Sequence, residues 1–427
     1  MASGTRAILR QMLDAAIEAA QPAICLPPYL PEPPAGGRIL ILGAGKASAA
    51  MARAAEQHYA ALDQLSCISG EVATRHGHAV PTEHIRVHEA GHPVPDAASL
   101  TAAERALELA ASVGRDDLVL VLLSGGASAI WAAPAPGISL AEKQAVTRAL
   151  LRSGHRIHEM NGVRKHLSRI KGGRLAAAVH GARLLTLAIS DVPGDDPAVI
   201  GSGPTVPDPV TLGQARAILE SLGDGIPPSV RAALADPANE TPKPGDPAFA
   251  RAEYRLVATP RKSLDAAAAI ARGLGFRVID LGDAVEGEAR DVARAHADLA
   301  LAAKARGERV ALLSGGELTV TMTGKGRGGR SQEYMLGLAV ALNGVAGVAG
   351  LAADTDGIDG GGGAASDPAG ALVLPETASR AKSLDLNAAK FLADNDSTGF
   401  FDRLGDLIVT GPTHTNVNDF RVLLVDP

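Results

Sequence analysis

The sequence predicts an α/β fold in two halves, each a mostly parallel sheet flanked by helices in a Rossmann-like manner. Three observations carry this. Apolar runs of strand length alternate with Ala-rich helical stretches, and continuous apolar strands separated by helices mark a sheet covered on both faces. The 427 residues set a prior of two or three domains. One word also recurs: Leu122-Leu123-Ser124-Gly125-Gly126 and Leu312-Leu313-Ser314-Gly315-Gly316 each follow an apolar run, about 190 residues apart. A buried strand that stops in Ser-Gly-Gly opens into a loop where backbone N–H groups approach a ligand without Cβ obstruction. Anions favour such loops where a helix starts next. Two of them point to two halves feeding a shared site.

Thr5 to Ala20 carries Arg6, Arg10, Asp14 and Glu18 at helical spacing, which reads as an amphipathic helix and not as a signal peptide. Five prolines between Leu26 and Gly37 join it to the first strand, Arg38 to Leu42, which ends at Gly43-Ala44-Gly45-Lys46. Leu118 to Leu123 ends at Ser124, and Leu184 to Ile189 at Ser190-Asp191. Gly223 to Phe249 holds six prolines with little strand or helix pattern, which places a boundary there; the expected domains are 1–240 and 250–427. Val310 to Leu313 then leads to Ser314, Val348 to Ala352 to Asp354-Thr355-Asp356-Gly357, and Leu407 to Val409 to Thr410-Gly411-Pro412-Thr413. Ligands of such sheets sit at the carboxyl ends of the strands, and the chemically interesting residues cluster there.

Composition excludes several classes. The net charge of −6 argues against a nucleic-acid binder. No run approaches 18 apolar residues without Gly, Pro or charge, so a membrane span is not expected. Cys25 and Cys67 are the only cysteines, which makes neither a disulfide framework nor a zinc site and fits a reducing cytoplasm. Hydrophobic residues make up 46% and aromatics 3%, so the cores are built from Ala, Leu, Val and Ile.

Gly43-Ala44-Gly45-Lys46-Ala47-Ser48 follows a strand and opens a helix. It lacks the spacing of a nucleotide P-loop and the third Gly of a dinucleotide fingerprint. It reads either as a tight turn with a solvated lysine or as a lysine at a helix N-terminus, where its charge opposes the helix dipole unless an anion lies between. Gly324-Lys325-Gly326-Arg327-Gly328-Gly329-Arg330 contains GxGxxG, but no acidic residue sits about 20 positions on to take a ribose. Its three interleaved cations suit an anion loop better than a dinucleotide. Asn161 to Arg174 holds five Lys or Arg in fourteen residues; on one helix Arg164, Ser168 and Lys171 would share a face. Acidic loops at Asp191 with Asp195-Asp196, at Asp354, Asp356 and Asp359, and at Asp419 could carry Mg²⁺ or orient a hydroxyl.

Together, LLSGGAS (122–128), NGVRKHLSRIKGGRLA (161–176), SDVPGDD (190–196), GSGPT (201–205), LSGGE (313–317), TDGIDG (355–360), NDSTGFF (395–401) and GDLIVTGPTHTNVNDF (405–420) resemble the glycerate 2-kinase family. EAGHPVPD (89–96) and GAGKA (43–47) fit as well, and residues 308–420 resemble the MOFRL domain. The resemblance spans nearly the whole chain. It implies ATP-dependent phosphorylation of D-glycerate at O2 with Mg²⁺, and an active site in the cleft between two α/β domains. Its catalytic Lys and Arg fall on Lys46 in GAGKA and Arg330 in GGRSQE. One departure is visible: the loop after TDGIDG reads GGGAASDPAGA where the family pattern is PTDAAGA.

The resulting expectation is a cytoplasmic kinase of a small hydroxy acid, for which a homodimer is an open assembly. Lys46 and Arg330 stabilise the transferring phosphoryl group; Asp191 orients the hydroxyl or holds Mg²⁺, with Asp356 as second metal ligand. Gly45, Ser124, Gly125, Gly126, Ser128, Ser314, Gly315, Gly316 and Glu317 line phosphate or substrate pockets. Arg164 and Lys165 take the glycerate carboxylate, and Asn161 is a further substrate- or nucleotide-binding residue. Two rivals are an NAD(P)H-dependent hydroxypyruvate reductase, a label some family members carry, and a non-catalytic anion-binding regulator.

Overall fold

A computed structural model describes residues 2–427 apart from Asp224, Gly362, Gly363 and Ala365; the Gly-rich departure at 361–369 therefore lies partly outside the described residues. The chain divides into two compact units, residues 22–257 and residues 1–21 with 258–427.

The first unit is built on six strands: β1 (Ile39–Ala44), β2 (Ile68–Arg75), β3 (Ile85–Ala90), β4 (Leu118–Leu123), β5 (Arg183–Ile189) and β6 (Ala252–Ala258). Their order is β3-β2-β1-β4-β5-β6, and β1 to β5 are mutually parallel. Every position of β1 and β4 is buried, as continuous Ile, Leu and Val runs require when helices cover both faces. On one face Leu40, Leu42, Val119 and Val121 pack on Ala102, Ala103, Ala106 and Ala110 of the helix Ala97–Ala111. That helix starts at Asp96, whose side chain accepts from the Ser99 amide while Ser99 answers the Asp96 amide; such reciprocal capping satisfies two orphan donors. The order reverses between β1 and β4. The loops leaving the carboxyl ends of these two neighbours at this switch point are Gly45-Lys46 and Ser124-Gly125-Gly126, and they lie side by side.

A helical layer completes this unit. Leu150, Val163, Leu167, Leu219, Val230 and Leu234 form its core, drawn from helices Leu140–Arg152, Ile157–His166, Leu212–Glu220 and Pro228–Ala235. The Pro-rich stretch 223–249 is part of this unit and not a linker. Asn239 and Thr241 are buried, and the chain crosses to the second unit only after β6 joins the edge beside β5. Prolines there open short turns, at Pro237–Asn239 and Pro247–Phe249, instead of marking disconnection.

The second unit contains β7 (Arg277–Asp280), β8 (Gly287–Glu288), β9 (Val310–Gly316), β10 (Leu318–Thr319), β11 (Val348–Asp354), β12 (Gly370–Val373), β13 (Leu407–Ile408) and β14 (Asp419–Val425). Its main sheet runs β13-β12-β11-β14-β9-β7. Only the β7–β9 pair is parallel; the other four pairs are antiparallel. The expectation of a mostly parallel second sheet is thus corrected. Burial on both faces, not strand direction, makes a strand wholly apolar, and β9, β11 and β14 are buried throughout. The helix Ala2–Ala19 belongs here too: Leu9, Met12, Leu13 and Ala16 pack on Leu264, Ala267, Ala268 and Ala271 of the helix Pro260–Gly273. An amphipathic stripe specifies that a helix will be covered, but not by which domain. Among the described residues no helix is long and apolar enough to cross a membrane.

Candidate active site

In the first unit the two switch-point loops lock onto each other through the backbone. The Lys46 amide donates to the Gly125 carbonyl at 2.8 Å and the Gly45 amide to the Ala73 carbonyl at 3.1 Å. The Ser124 hydroxyl accepts from the Ala47 amide at 2.9 Å, so Ser124, which is fully buried, braces the lysine loop rather than facing a ligand. Gly45 has φ +133°, and a Cβ there would lie 2.2 Å from Ser124 Oγ. Gly45→Ala should therefore cost roughly 2–4 kcal/mol through strain and overpacking, read as a lowered midpoint in urea unfolding; an unchanged midpoint would mean the two loops are not in contact.

Gly126 (φ +84°) caps the short helix Ala127–Ile130. A Cβ on it would meet the His92 ring at 3.0 Å and Lys46 Cγ at 3.4 Å, so Lys46 and His92 flank this glycine. The amides of Gly125 and Gly126 have no acceptor among the described residues. N–H groups at a turn leading into a helix, beside a lysine, make an anion cradle.

Next to it stands Ser128. Its hydroxyl accepts from Arg164 Nη2 at 3.0 Å and from Lys171 Nζ at 2.6 Å, and lies 2.9 Å from Ser202 Oγ. Arg164 Nη1 donates to Asn161 Oδ1 at 3.0 Å. Asn161 therefore orients the arginine. Lys165 is removed from the expected carboxylate site: it is buried and donates to Asp208 Oδ1 at 3.3 Å. Nor do Arg164, Ser168 and Lys171 share a helix, because that helix stops at His166. The turn that follows brings Lys171 back under Ser128, while Ser168 donates to the Ala133 carbonyl. Asp191 lies two residues past the end of β5, half-buried, at the carboxyl edge of the same sheet.

The second Ser-Gly-Gly behaves differently. Ser314, Gly315 and Gly316 lie inside β9, paired with Arg421, Phe420 and Asp419 of β14, and all three are buried. They form sheet interior instead of opening a loop, because a neighbouring antiparallel strand uses their backbone. At the end of that ladder is an ionic cluster. Arg330 opens the helix Arg330–Leu342. Its Nε donates to Asp419 Oδ1 at 2.8 Å, Nη1 to Glu317 Oε1 at 2.7 Å and Nη2 to Asp354 Oδ2 at 3.0 Å. Although burial opposes its charge, Asp419, Asp354 and Glu317 hold the guanidinium above its ordinary range. Arg421, fully buried, reaches Asp419 Oδ2 at 3.1 Å and Ser314 Oγ at 3.1 Å. Asp356 is buried, with Oδ1 accepting from the Ile358 amide at 2.9 Å.

The GxGxxG loop is not a dinucleotide cradle. Amides of Thr323 and Gly324 donate to Asn395 Oδ1, those of Lys325 and Gly326 to the Asp394 carboxylate and carbonyl, and that of Arg327 to Asp396 Oδ1. The helix that follows is capped by Asp359, which accepts from the Ser331 and Gln332 amides at 2.9 and 2.8 Å. Its glycines exist for close approach: a Cβ on Gly326 would lie 2.4 Å from Asp396 Cα, and one on Gly329 2.3 Å from Asp359. These loop amides are thus engaged with oxygens of Asp394, Asn395 and Asp396. Lys325 and Arg327 remain exposed as cations.

The family model described as a domain of unknown function (DUF4147) matches residues 8–235, and that of the MOFRL family matches residues 310–419. A Thermotoga maritima protein named D-glycerate 2-kinase is 38% identical over 393 residues, covering 91% of each chain. The crystal structure of a glycerate kinase from Thermotoga maritima superposes with TM-score 0.88 at 37% identity, covering 99% of this chain and all of that one. The chain belongs to the glycerate 2-kinase family. An Agrobacterium vitis protein that carries hydroxypyruvate reductase as a provisional name is 50% identical over 426 residues, 98% of this chain and 94% of its own.

Several residues of this glycerate 2-kinase homologue escaped sequence reasoning. Ser202 is buried at φ +64° between Gly201 and Gly203, themselves at positive φ; the tripeptide was visible in GSGPT, but not what it faces. Arg421 was signalled by a lone charge inside Phe420-Arg421-Val422-Leu423-Leu424. Lys143, on the helix Leu140–Arg152, is also buried, donating to the Leu167 carbonyl at 2.6 Å. Burial first, then Arg164 and Arg174, bring its ammonium down to about 7. An unfolded lysine titrates near 10.4. Between those values the unfolded chain holds more protons, so this group makes stability rise as pH rises from about 7 to about 10. Calorimetry at pH 7 and 9.5 should show a smaller rise in melting temperature for Lys143→Met than for the unsubstituted protein; equal rises would contradict the burial argument.

Proposed function

We propose that this protein phosphorylates D-glycerate at the 2-hydroxyl with ATP, giving 2-phosphoglycerate and ADP. The observation that carries the reading is the cradle at the β1–β4 switch point: Lys46 beside the Gly125 and Gly126 amides, with Arg164 and Ser128 next to it. Phosphoryl transfer needs positioning and compensation of negative charge more than covalent participation by the protein. The glycerate O2 forms the new bond to the γ-phosphorus as the bridge to the β-phosphate breaks. Lys46 meets the charge on the transferring group, Arg164 holds an oxyanion of the substrates, and Asp191 orients the hydroxyl and accepts its proton. In the second unit Arg330 is proposed to meet nucleotide phosphate. It can do so by exchanging Glu317, its more exposed carboxylate partner, for a phosphate oxygen while Asp419 and Asp354 hold it.

Among the described residues no group of three or more His, Cys, Asp or Glu is arranged to hold a metal by itself. Mg²⁺ is proposed to arrive on the nucleotide, as an ion that keeps waters and takes one or two carboxylates together with phosphates. Asp191 in the first unit is the carboxylate proposed to take it, with Asp356 in the second unit as the other candidate, and the ion would supply compensation of phosphate charge.

The deciding experiment incubates the purified protein with D-glycerate, ATP and Mg²⁺ and resolves the product by ³¹P NMR. A 2-phosphoglycerate resonance is expected. A 3-phosphoglycerate resonance would retain the kinase and overturn the regiochemistry. Oxidation of NADH by hydroxypyruvate with no phosphorylated acid would instead establish the reductase, against the engaged amides of the Gly324 loop.

A further inference from the structure

Lys171 has no role in the reading above. It is 1% exposed, and its ammonium donates to both the carbonyl and the hydroxyl of Ser128. No carboxylate pairs with it among the described residues; its electrostatic neighbours are the cations Arg164 and Lys143. Among the described residues the Lys143 ammonium likewise donates to the Arg164 and Leu167 carbonyls and to no carboxylate. Burying ammonium groups without counter-ions is costly, and burial, then Arg164 and Lys143, push the Lys171 ammonium well below its usual range. Packing alone would be met by an apolar chain of the same length. The buried nitrogen is therefore kept for the two hydrogen bonds it donates to Ser128.

Hydrogen-bond counting shows what those two bonds hold in place. A hydroxyl offers two lone pairs and one proton. Ser128 Oγ accepts from Arg164 and from Lys171, so its own proton points to Ser202 Oγ. Ser202 is presented by a loop in which residues 201, 202 and 203 all have positive φ, and its carbonyl accepts from the Gly172 amide at 3.0 Å, which ties it to the residue after Lys171. The network is closed on the protein side. Arg164 has five N–H donors, of which two are used on Asn161 and Ser128. The other three have no acceptor among the described residues, and Arg164 and Ser128 are only half-buried.

We propose that Lys171 is a positioning residue of the substrate pocket: through Ser128 it fixes the Arg164 guanidinium so that its remaining N–H groups receive an oxyanion of a substrate. The inference rests on the kinase reading and deepens it, since the oxyanion is then either the glycerate carboxylate or a nucleotide phosphate. Lys171 itself touches neither. It sets the orientation of Arg164 through the hydroxyl they share.

The test is a double-mutant cycle with Lys171→Met, Ser128→Ala and the pair. Michaelis constants for D-glycerate and ATP, kcat and melting temperature are measured for each. Binding of D-glycerate and of ATP is measured separately by calorimetry. Each single change is expected to raise one substrate's KM at least tenfold with kcat changed less than threefold, and the pair is expected to add little, because both act through one hydroxyl. A rise confined to glycerate identifies the carboxylate; one confined to ATP identifies phosphate. Additive effects, or a loss of kcat with both KM values unchanged, would overturn the proposal. If Lys171→Met fails to fold, Ser128→Ala alone decides by the same KM criterion. If the unsubstituted protein binds these substrates but transfers no phosphoryl group, the kinase reading fails while the binding cycle still judges Lys171.

Discussion

Replacing Lys46 with alanine is expected to lower kcat by about 10²-fold or more while leaving the fold intact. Removing one preorganised group that faces transition-state charge has effects of that order. Structural collapse is not expected, because the loop is held by its backbone: the Lys46 amide on Gly125 and the Ala47 amide on Ser124 both survive the substitution. A cation in the turn that opens the helix Ser48–Ala61 also opposes the helix dipole by a few tenths to about 1 kcal/mol. The position thus carries a charge that local helix energetics disfavour. Steady-state kinetics and a melting curve on the same sample separate the two effects. Retained stability with lost turnover supports the assignment, and kinetics equal to those of the unsubstituted protein would remove Lys46 from the mechanism.

Asp419→Ala should produce the largest loss of stability. This buried carboxylate takes Arg330 on one side and Arg421 on the other. Arg421 is entirely enclosed, and its remaining partners, Ser314 Oγ and the Gly315 carbonyl, are neutral. Leaving a buried charge without its partner costs about 3–5 kcal/mol. For a unit of this size each kcal/mol is worth roughly 2–4 °C, so a fall on the order of 10 °C in melting temperature is expected. Arg421→Met should cost less, because Asp419 keeps Arg330 and the charge that demanded pairing is gone. An equal or greater loss for Arg421→Met would contradict this reading of the cluster.

The site was legible in proportion to how locally it is built. Gly45-Lys46 and Ser124-Gly125-Gly126 each announce themselves as strand-to-helix turns, and adjacency of β1 and β4 brings them together. The identical word at Ser314-Gly315-Gly316 misled, since the same residues serve as sheet interior once β14 pairs with β9. The run of cations at 164–174 was equally ambiguous: Lys165 is consumed by Asp208, Arg169 by Glu104 at 2.6 Å, and Lys171 by Ser128. A basic segment records how many charges are near, but not which partners long-range folding will supply.

The α/β class, the presence of strands β1, β4, β5, β9, β11 and β13, and the family follow from the sequence by itself, because apolar runs, Gly-Lys turns and ordered motifs are local properties of the chain. Tertiary structure alone decided the antiparallel pairing of the second sheet, the membership of the helix Ala2–Ala19, the engaged amides of the Gly324 loop, and the convergence of Arg164, Lys171 and Ser202 on Ser128. Those are contacts between residues far apart in the chain, set by packing and by the need to satisfy buried polar groups, and neither leaves a periodic trace in the residues that make them.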